Sequence, residues 1–251
     1  MASTSMATHR GDYGFDAPYV FFVFVGVTLA AIGCAVAGIA TRRPGLERPA
    51  LVYAIVFGAI VASWGYTTRR GKFVVWSRLL GSMAWRGDER VLDLGCGRGA
   101  VLTMTAKCLT SGTVTGADIW KTSDQSGSSE RVCRRNADLE GVGDRVAIRT
   151  ADMRDLPFAD ASFDVIVSSL AIHNIPSKAG RMAALGEAAR VLAPGGRLAI
   201  ADIRHTRAYA AELRRLGLVD VARRGLGWRF WYGSPFGATA LVTARKGERP
   251  A

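Results

Sequence analysis

The sequence predicts an α/β fold over roughly its last two thirds, with two long apolar helices ahead of it. Three observations predict this. Residues 17–41 and 49–68 carry no charged side chain. From Arg90 onward, short apolar strands alternate with helical patterns. A glycine turn, Gly95, Gly97 and Gly99, joins the first of those strands to the first helix. Such alternation argues for a mostly parallel sheet with helices on both faces.

The elements follow in order. Residues 1–16 are small and polar and read as a flexible N-terminus. Residues 17–68 read as a membrane anchor with helices at about 17–41 and 50–67, since about 20 apolar residues span a bilayer core. A tight loop, Arg42 to Arg48, joins them. A cleaved signal peptide is the competing reading. Asp12 and Asp16 ahead of the run, and the length of the run, argue against it. Residues 69–90 form a connector in which Phe73, Trp76, Leu80 and Met83 recur at helical spacing. This amphipathic helix either covers an edge of the sheet or lies on a membrane surface.

Strands are expected at 90–94, 113–118, 145–150, 163–168, 196–202, 218–223 and 239–245. Helices are expected at 99–110, 128–140, 177–192 and 206–216. Gly141 and Gly217 stop two of these helices. Pro194-Gly195-Gly196 makes a turn into the fifth strand.

Composition narrows the partners. The formal net charge is +12, mostly from arginine. The basic residues are scattered, with no long run and no interleaved aromatics, so nucleic acid is an unlikely partner. Adhesion to an anionic bilayer surface is the simpler reading. The four cysteines, Cys34, Cys96, Cys108 and Cys133, form no C-x-x-C pair. That spacing argues against a zinc site and a disulfide framework, and no metal is expected.

Residues 91–99 are the most informative. An apolar strand delivers Asp93 and then the glycine turn. Glycines let a backbone approach a ligand closely. The same glycines also fit a dinucleotide fingerprint. An acid two residues before the first glycine would face a pyrophosphate unfavourably, and suits an amino group and a sulfonium better. This segment resembles motif I of the class I S-adenosylmethionine (SAM)-dependent methyltransferases, small-molecule branch. Val191-Leu192-Ala193-Pro194-Gly195-Gly196 matches the turn that family places before its fifth strand. The resemblance implies a Rossmann-like, seven-stranded, mostly parallel sheet over 91–251. It also implies SAM as cofactor and S-adenosylhomocysteine as product.

The resemblance also assigns roles. Asp93, Gly95, Cys96, Gly97 and Gly99 would hold the methionine end of SAM. Asp118 would bind the ribose hydroxyls, as acids at this offset do in dinucleotide sites. Ile119 and Trp120 would flank the adenine. Asp152 would accept from the adenine amine, with Met153 against the ring. Ser168, Ser169 and Leu170 would face the cofactor after the fourth strand. His173 is the candidate general base, because an imidazole titrates near neutral pH. An Asn/Asp-Pro-Pro-Tyr/Phe motif is missing, which counts against planar-amine acceptors.

Two further stretches are candidates for the acceptor. One is the polar loop from Asp124 to Ser128, which would otherwise serve as a solvated loop with an N-cap at Ser126 or Ser128. The other is Gly227-Trp228-Arg229-Phe230-Trp231-Tyr232-Gly233, which would line an apolar pocket or dip into a membrane interface. The leading expectation is a membrane-anchored methyltransferase of an apolar or membrane-partitioned small molecule, its catalytic domain on the cytoplasmic side. The alternatives are a soluble acceptor such as a thiol, and a SAM-binding sensor without turnover. Topology carries a conflict. Two spans place Arg42, Arg43 and Arg48 outside, against the positive-inside tendency, while Arg69, Arg70 and Lys72 fit the inside.

Overall fold

A computed structural model of the chain describes residues 9–121 and 125–248. Helix α1 spans Pro18–Ala40 and α2 spans Pro44–Tyr66. Each has 23 residues, about 34 Å at 1.5 Å per residue, enough to cross a bilayer core. A proline stands in the first turn of each, where its missing N–H has no intrahelical partner to lose. The two pack against each other, with Phe24 stacked on Phe57. Their other faces leave Tyr19, Phe22, Val23, Leu29, Val36, Leu51, Val52 and Ile55 exposed.

The loop expected from Arg42 to Arg48 is shorter than its charge suggested. Glu47, Arg48 and Pro49 lie inside α2, and the connection is only Thr41–Arg43. Charge there marks an exposed helical turn rather than a break. A π-helical turn, Thr67–Gly71, then carries α2 into α3, Lys72–Gly81. Of the two readings of this connector, α3 takes the one that covers the sheet. Phe73, Trp76, Leu79 and Leu80 are buried against the domain core.

The sheet has seven strands. They are β1 Arg90–Leu94, β2 Thr113–Asp118, β3 Val146–Thr150, β4 Phe163–Ser169, β5 Leu192–Asp202, β6 Leu218–Gly225 and β7 Ala240–Lys246. Their order is β3-β2-β1-β4-β5-β7-β6. The first five pair in parallel, and β7 is antiparallel to both neighbours. Helices α4 Ala100–Ala106 and α5 Glu130–Leu139 join α3 on one face. Helices α6 Lys178–Val191 and α7 Thr206–Arg215 cover the other. Strand alternation divides the core. Val91, Val165 and Val167 face the first layer, and Leu92 and Ile166 face the second.

Several boundaries differ from the sequence reading, the helix expected at 99–110 ending at Ala106 among them, and two have a visible cause. Strand β5 begins at Leu192, because Leu192 still pairs with Phe163. Pro194-Gly195-Gly196 bulges out of it before Arg197 resumes pairing with Val165. Helix α5 is capped by Ser129, whose hydroxyl accepts from Val132 N–H, and not by Ser126 or Ser128.

The N-terminus, expected to be flexible, makes hydrogen bonds to the domain over its described part. Residues 9–17 form a strap along α4 and α5. The Asp12 carboxylate meets Arg98 at 2.6 Å, and Asn136 donates to the Asp12 carbonyl. Glu140 accepts the N–H groups of Arg10 and Gly11. Small polar residues favour flexibility only when such partners are absent. Residues 1–8 lie outside the described residues.

Candidate functional site

The site lies where the strand order reverses, between β1 and β4, at the C-terminal ends of the parallel strands. Open α/β sheets bind ligands at this point. A cavity of about 610 Å³ opens there. Its floor is the glycine turn after β1. Gly95 has φ +73°, and a Cβ on it would run into Ala171, so no other residue fits without displacing the β4 loop.

Three acids surround the cavity, each at a strand end. Asp93 is 1% exposed, and among the described residues neither carboxylate oxygen has a hydrogen-bond partner. Burial, reinforced by the nearby Asp118 charge, pushes its pKa up to about 8. A buried, unpartnered carboxylate is costly unless something cationic or protic meets it. Asp118 accepts the Gly97 N–H at 2.8 Å and the Trp120 N–H at 2.6 Å. It therefore caps the glycine turn while lining the cavity. Asp152 is gripped by Arg154, Nη2 to Oδ2 at 2.5 Å, which holds its carboxyl below the ordinary range.

Of the residues singled out from sequence, Asp93, Gly95, Cys96, Gly97, Asp118, Ile119, Asp152, Met153, Ser169, Leu170 and His173 line the cavity together. Gly99, Trp120 and Ser168 do not. Gly99 turns toward Cys133 at the start of α4. The Trp120 ring donates instead to Thr150 Oγ1 at 2.7 Å. Ser168 is fully buried, and its hydroxyl donates to the Leu94 carbonyl at 2.8 Å, tying β4 to β1. Cys96 shares its proton environment with Cys133. That hydrogen bond, together with burial, pushes its thiol well above the ordinary range, so it is no nucleophile.

His173 sits in a 3₁₀ turn, Ile172–Asn174, with Nδ1 2.5 Å from Asp202 Oδ1. Asp202 is buried at the end of β5 and also accepts the N–H groups of His173 and Ile203. The carboxylate lies beside the imidazole at the cavity wall. Sequence reasoning missed Asp202, though its signal is that of Asp118: an acid closing an apolar strand. It also missed the contribution of the N-terminal region. Asp16, Ala17 and Val20 of the strap and α1, Trp64 of α2, and Lys72, Phe73 and Trp76 of α3 all line the cavity. Tyr232, from the aromatic segment between β6 and β7, joins them. In that segment Phe230 is buried, whereas Trp228 and Phe236 are exposed. Of the polar loop, Gln125 reaches the cavity and its side chain bonds Asp16 Oδ1, while Asp124 lies outside the described residues.

Residues 92–200 match a family described as a methyltransferase domain. Over this stretch the chain resembles the class I SAM-dependent methyltransferases. The chain is 40% identical over 129 residues to 27-O-demethylrifamycin SV methyltransferase of Amycolatopsis mediterranei, covering 50% of this chain and 42% of that protein. It is 35% identical over 136 residues to demethylmenaquinone methyltransferase of Tropheryma whipplei, covering 54% and 51%. The chain thus spans about half the length of the curated relatives it matches. Its fold is shared with a SAM-dependent methyltransferase from Aquifex aeolicus, at a TM-score of 0.53 and 19% identity, over 68% of this chain and 88% of that one. The cavity suits a cationic ligand. Its deepest group is an unpartnered carboxylate, beside a turn whose glycine leaves room for one.

Proposed function

We propose that this protein is a membrane-anchored methyltransferase, moving a methyl group from SAM to a small apolar or membrane-partitioned acceptor. The observation that carries the SAM assignment is Asp93, buried in the cavity without a partner. The observation that carries the acceptor class is the cavity wall, part of which is built by Val20 and Trp64 of the two apolar helices.

When bound, SAM supplies a methyl group on a sulfonium, open to in-line attack. In this reading the residues of the chain divide the remaining work. Asp93 faces the cationic methionine end, with Gly95, Cys96 and Gly97 alongside. Asp118, beside the glycine turn, takes the ribose hydroxyls. Asp152, Ile119 and Met153 line the adenine end, and Ser169 and Leu170 close over the middle. Gly99, Trp120 and Ser168 serve as supports behind this wall. His173, with Asp202 on Nδ1, has Nε2 left to accept the acceptor's proton. Positioning and exclusion of water do the rest. Helices α1 and α2 cross the membrane, with the domain on the cytoplasmic side.

The relatives named above act, by their names, on demethylmenaquinone and on a demethylrifamycin, and both support a small-molecule acceptor. The test uses detergent-solubilised full-length protein, methyl-labelled SAM and a crude cell extract, with Asp118→Ala as control. Label that enters the organic phase and is lost in the control supports the reading. Label confined to aqueous or volatile fractions replaces the apolar acceptor with a soluble one. SAM binding without any transfer replaces the enzyme with a sensor.

A further inference from the structure

The cavity has a second polar centre, on the side of the apolar helices, which the SAM-facing residues do not use. Lys72 Nζ contacts Asp16 Oδ1 at 3.0 Å and Oδ2 at 2.8 Å. Both side chains are largely buried, and both line the cavity. The Tyr232 hydroxyl donates to Asp16 Oδ2 at 2.9 Å, and Gln125 Nε2 donates to Asp16 Oδ1 at 3.2 Å. Asp16 is therefore saturated. Its charge and burial hold the Tyr232 hydroxyl firmly protonated. Lys72 has three N–H donors. Two go to Asp16, and the described residues supply no acceptor for the third beyond the flank of the Phe73 ring.

Around this centre the wall is apolar: Val20, Trp64, Phe73 and Trp76. Val20 belongs to the exposed flank of α1, and Trp64 donates its ring N–H to the Asp16 carbonyl. The cavity therefore borders the same surface that the helices present to a bilayer. Burying an ion pair costs desolvation that well-packed apolar residues would avoid. A pair kept on a cavity wall, with one donor to spare, is suited to meet an oxygen that arrives in an otherwise apolar molecule.

We infer that Lys72, held in place by Asp16, is the docking point for an oxygen of the acceptor, which enters past Val20 and Trp64 from the bilayer side. The occupant is an apolar ring or chain bearing a hydroxyl or carbonyl oxygen. This inference rests on the proposed small-molecule acceptor, and it concerns binding alone.

The test uses full-length protein in nanodiscs of phosphatidylcholine and phosphatidylglycerol, without SAM. Tritiated 2-naphthol and naphthalene are dialysed to equilibrium against loaded and empty discs. The wild type is expected to bind 2-naphthol at least about ten-fold more tightly than naphthalene, the range of one hydrogen bond to a charged group. The Asp16→Asn/Lys72→Met double variant removes both charges together, so no lone charge stays buried, and it should lose that preference. Val20→Phe, on the exposed face of α1, should weaken both probes. Equal binding of the two probes by the wild type overturns the inference, as does a preference that survives in the double variant. Unchanged binding in Val20→Phe overturns the entry route. A protein that binds 2-naphthol but never transfers methyl overturns the proposed reaction and leaves this site standing.

Discussion

At the scale of single residues, Asp93 sets the pH behaviour of the site. Its pKa is raised to about 8 by burial, so the free protein holds it protonated below that pH. Meeting a cation requires the carboxylate. SAM affinity is therefore expected to rise as pH climbs toward 8, by up to about ten-fold per unit, and binding below pH 8 should release a proton. Calorimetry in buffers of differing ionisation enthalpy counts that proton. Stability runs the other way. Because the folded pKa lies above the unfolded value, the contribution of Asp93 to the stability of the unliganded fold falls as pH rises from about 4 to 8. Asp93→Asn should flatten that slope and weaken SAM binding by about ten- to a hundred-fold, the range of a lost charged hydrogen bond. A variant that keeps the slope or the affinity would refute the role. His173 gives a separate prediction. His173→Ala should lower kcat by about 10²–10⁴ with SAM affinity intact, if a base is needed, and Asp202→Asn should lower kcat in the same direction. Asp93 and Asp118 were legible because strand, acid and glycine turn are neighbours in sequence. Asp202 and His173 stand 29 residues apart, so their meeting at the strand ends is visible only in three dimensions.

At the scale of elements, helices α1 and α2 meet the domain through the π turn and the aromatic segment between β6 and β7. A Cβ on Gly71 would collide with the Arg229 carbonyl. Thr67 donates to the Trp231 carbonyl at 2.6 Å, and Tyr66 stacks on Trp228. Gly71→Ala should therefore push the segment off the helix and cost about 1–3 kcal/mol, as overpacking does. Limited proteolysis between β6 and β7 would report the release, and an unchanged cleavage pattern would contradict it. Parallel strands and their helices were readable from period and punctuation. The strap was not. Its order comes from Arg98, Asn136 and Glu140, side chains about 85 to 130 residues further along, and local composition carries no trace of them.

At the scale of the whole molecule, α1 and α2 expose apolar side chains along most of their length, a surface that water does not reward. The full-length protein should stay in the membrane pellet after alkaline carbonate extraction. A cysteine placed at Thr41, between the helices, should react with an impermeant maleimide from outside the cell if the domain faces the cytoplasm. Protection there, with labelling from the inside only, would reverse the orientation or demote α2 from a span. The arginines do not decide this, since Arg42, Arg43 and Arg48 are as exposed as Arg69 and Arg70.

The Asp16 junction bears on how such a protein is handled and how it could diversify. Asp16 follows the strap, precedes α1, and closes one wall of the cavity through Lys72, Gln125 and Tyr232. Cutting away the residues before Lys72 would also open one wall of the cavity and take away the Lys72 counter-ion. A more water-soluble version is better made by repainting the outward faces of α1 and α2 with polar side chains. For the same reason, these two helices should not exchange freely with another pair: transplanted helices would bring their own cavity wall and, on the proposed reading, a different choice of acceptor.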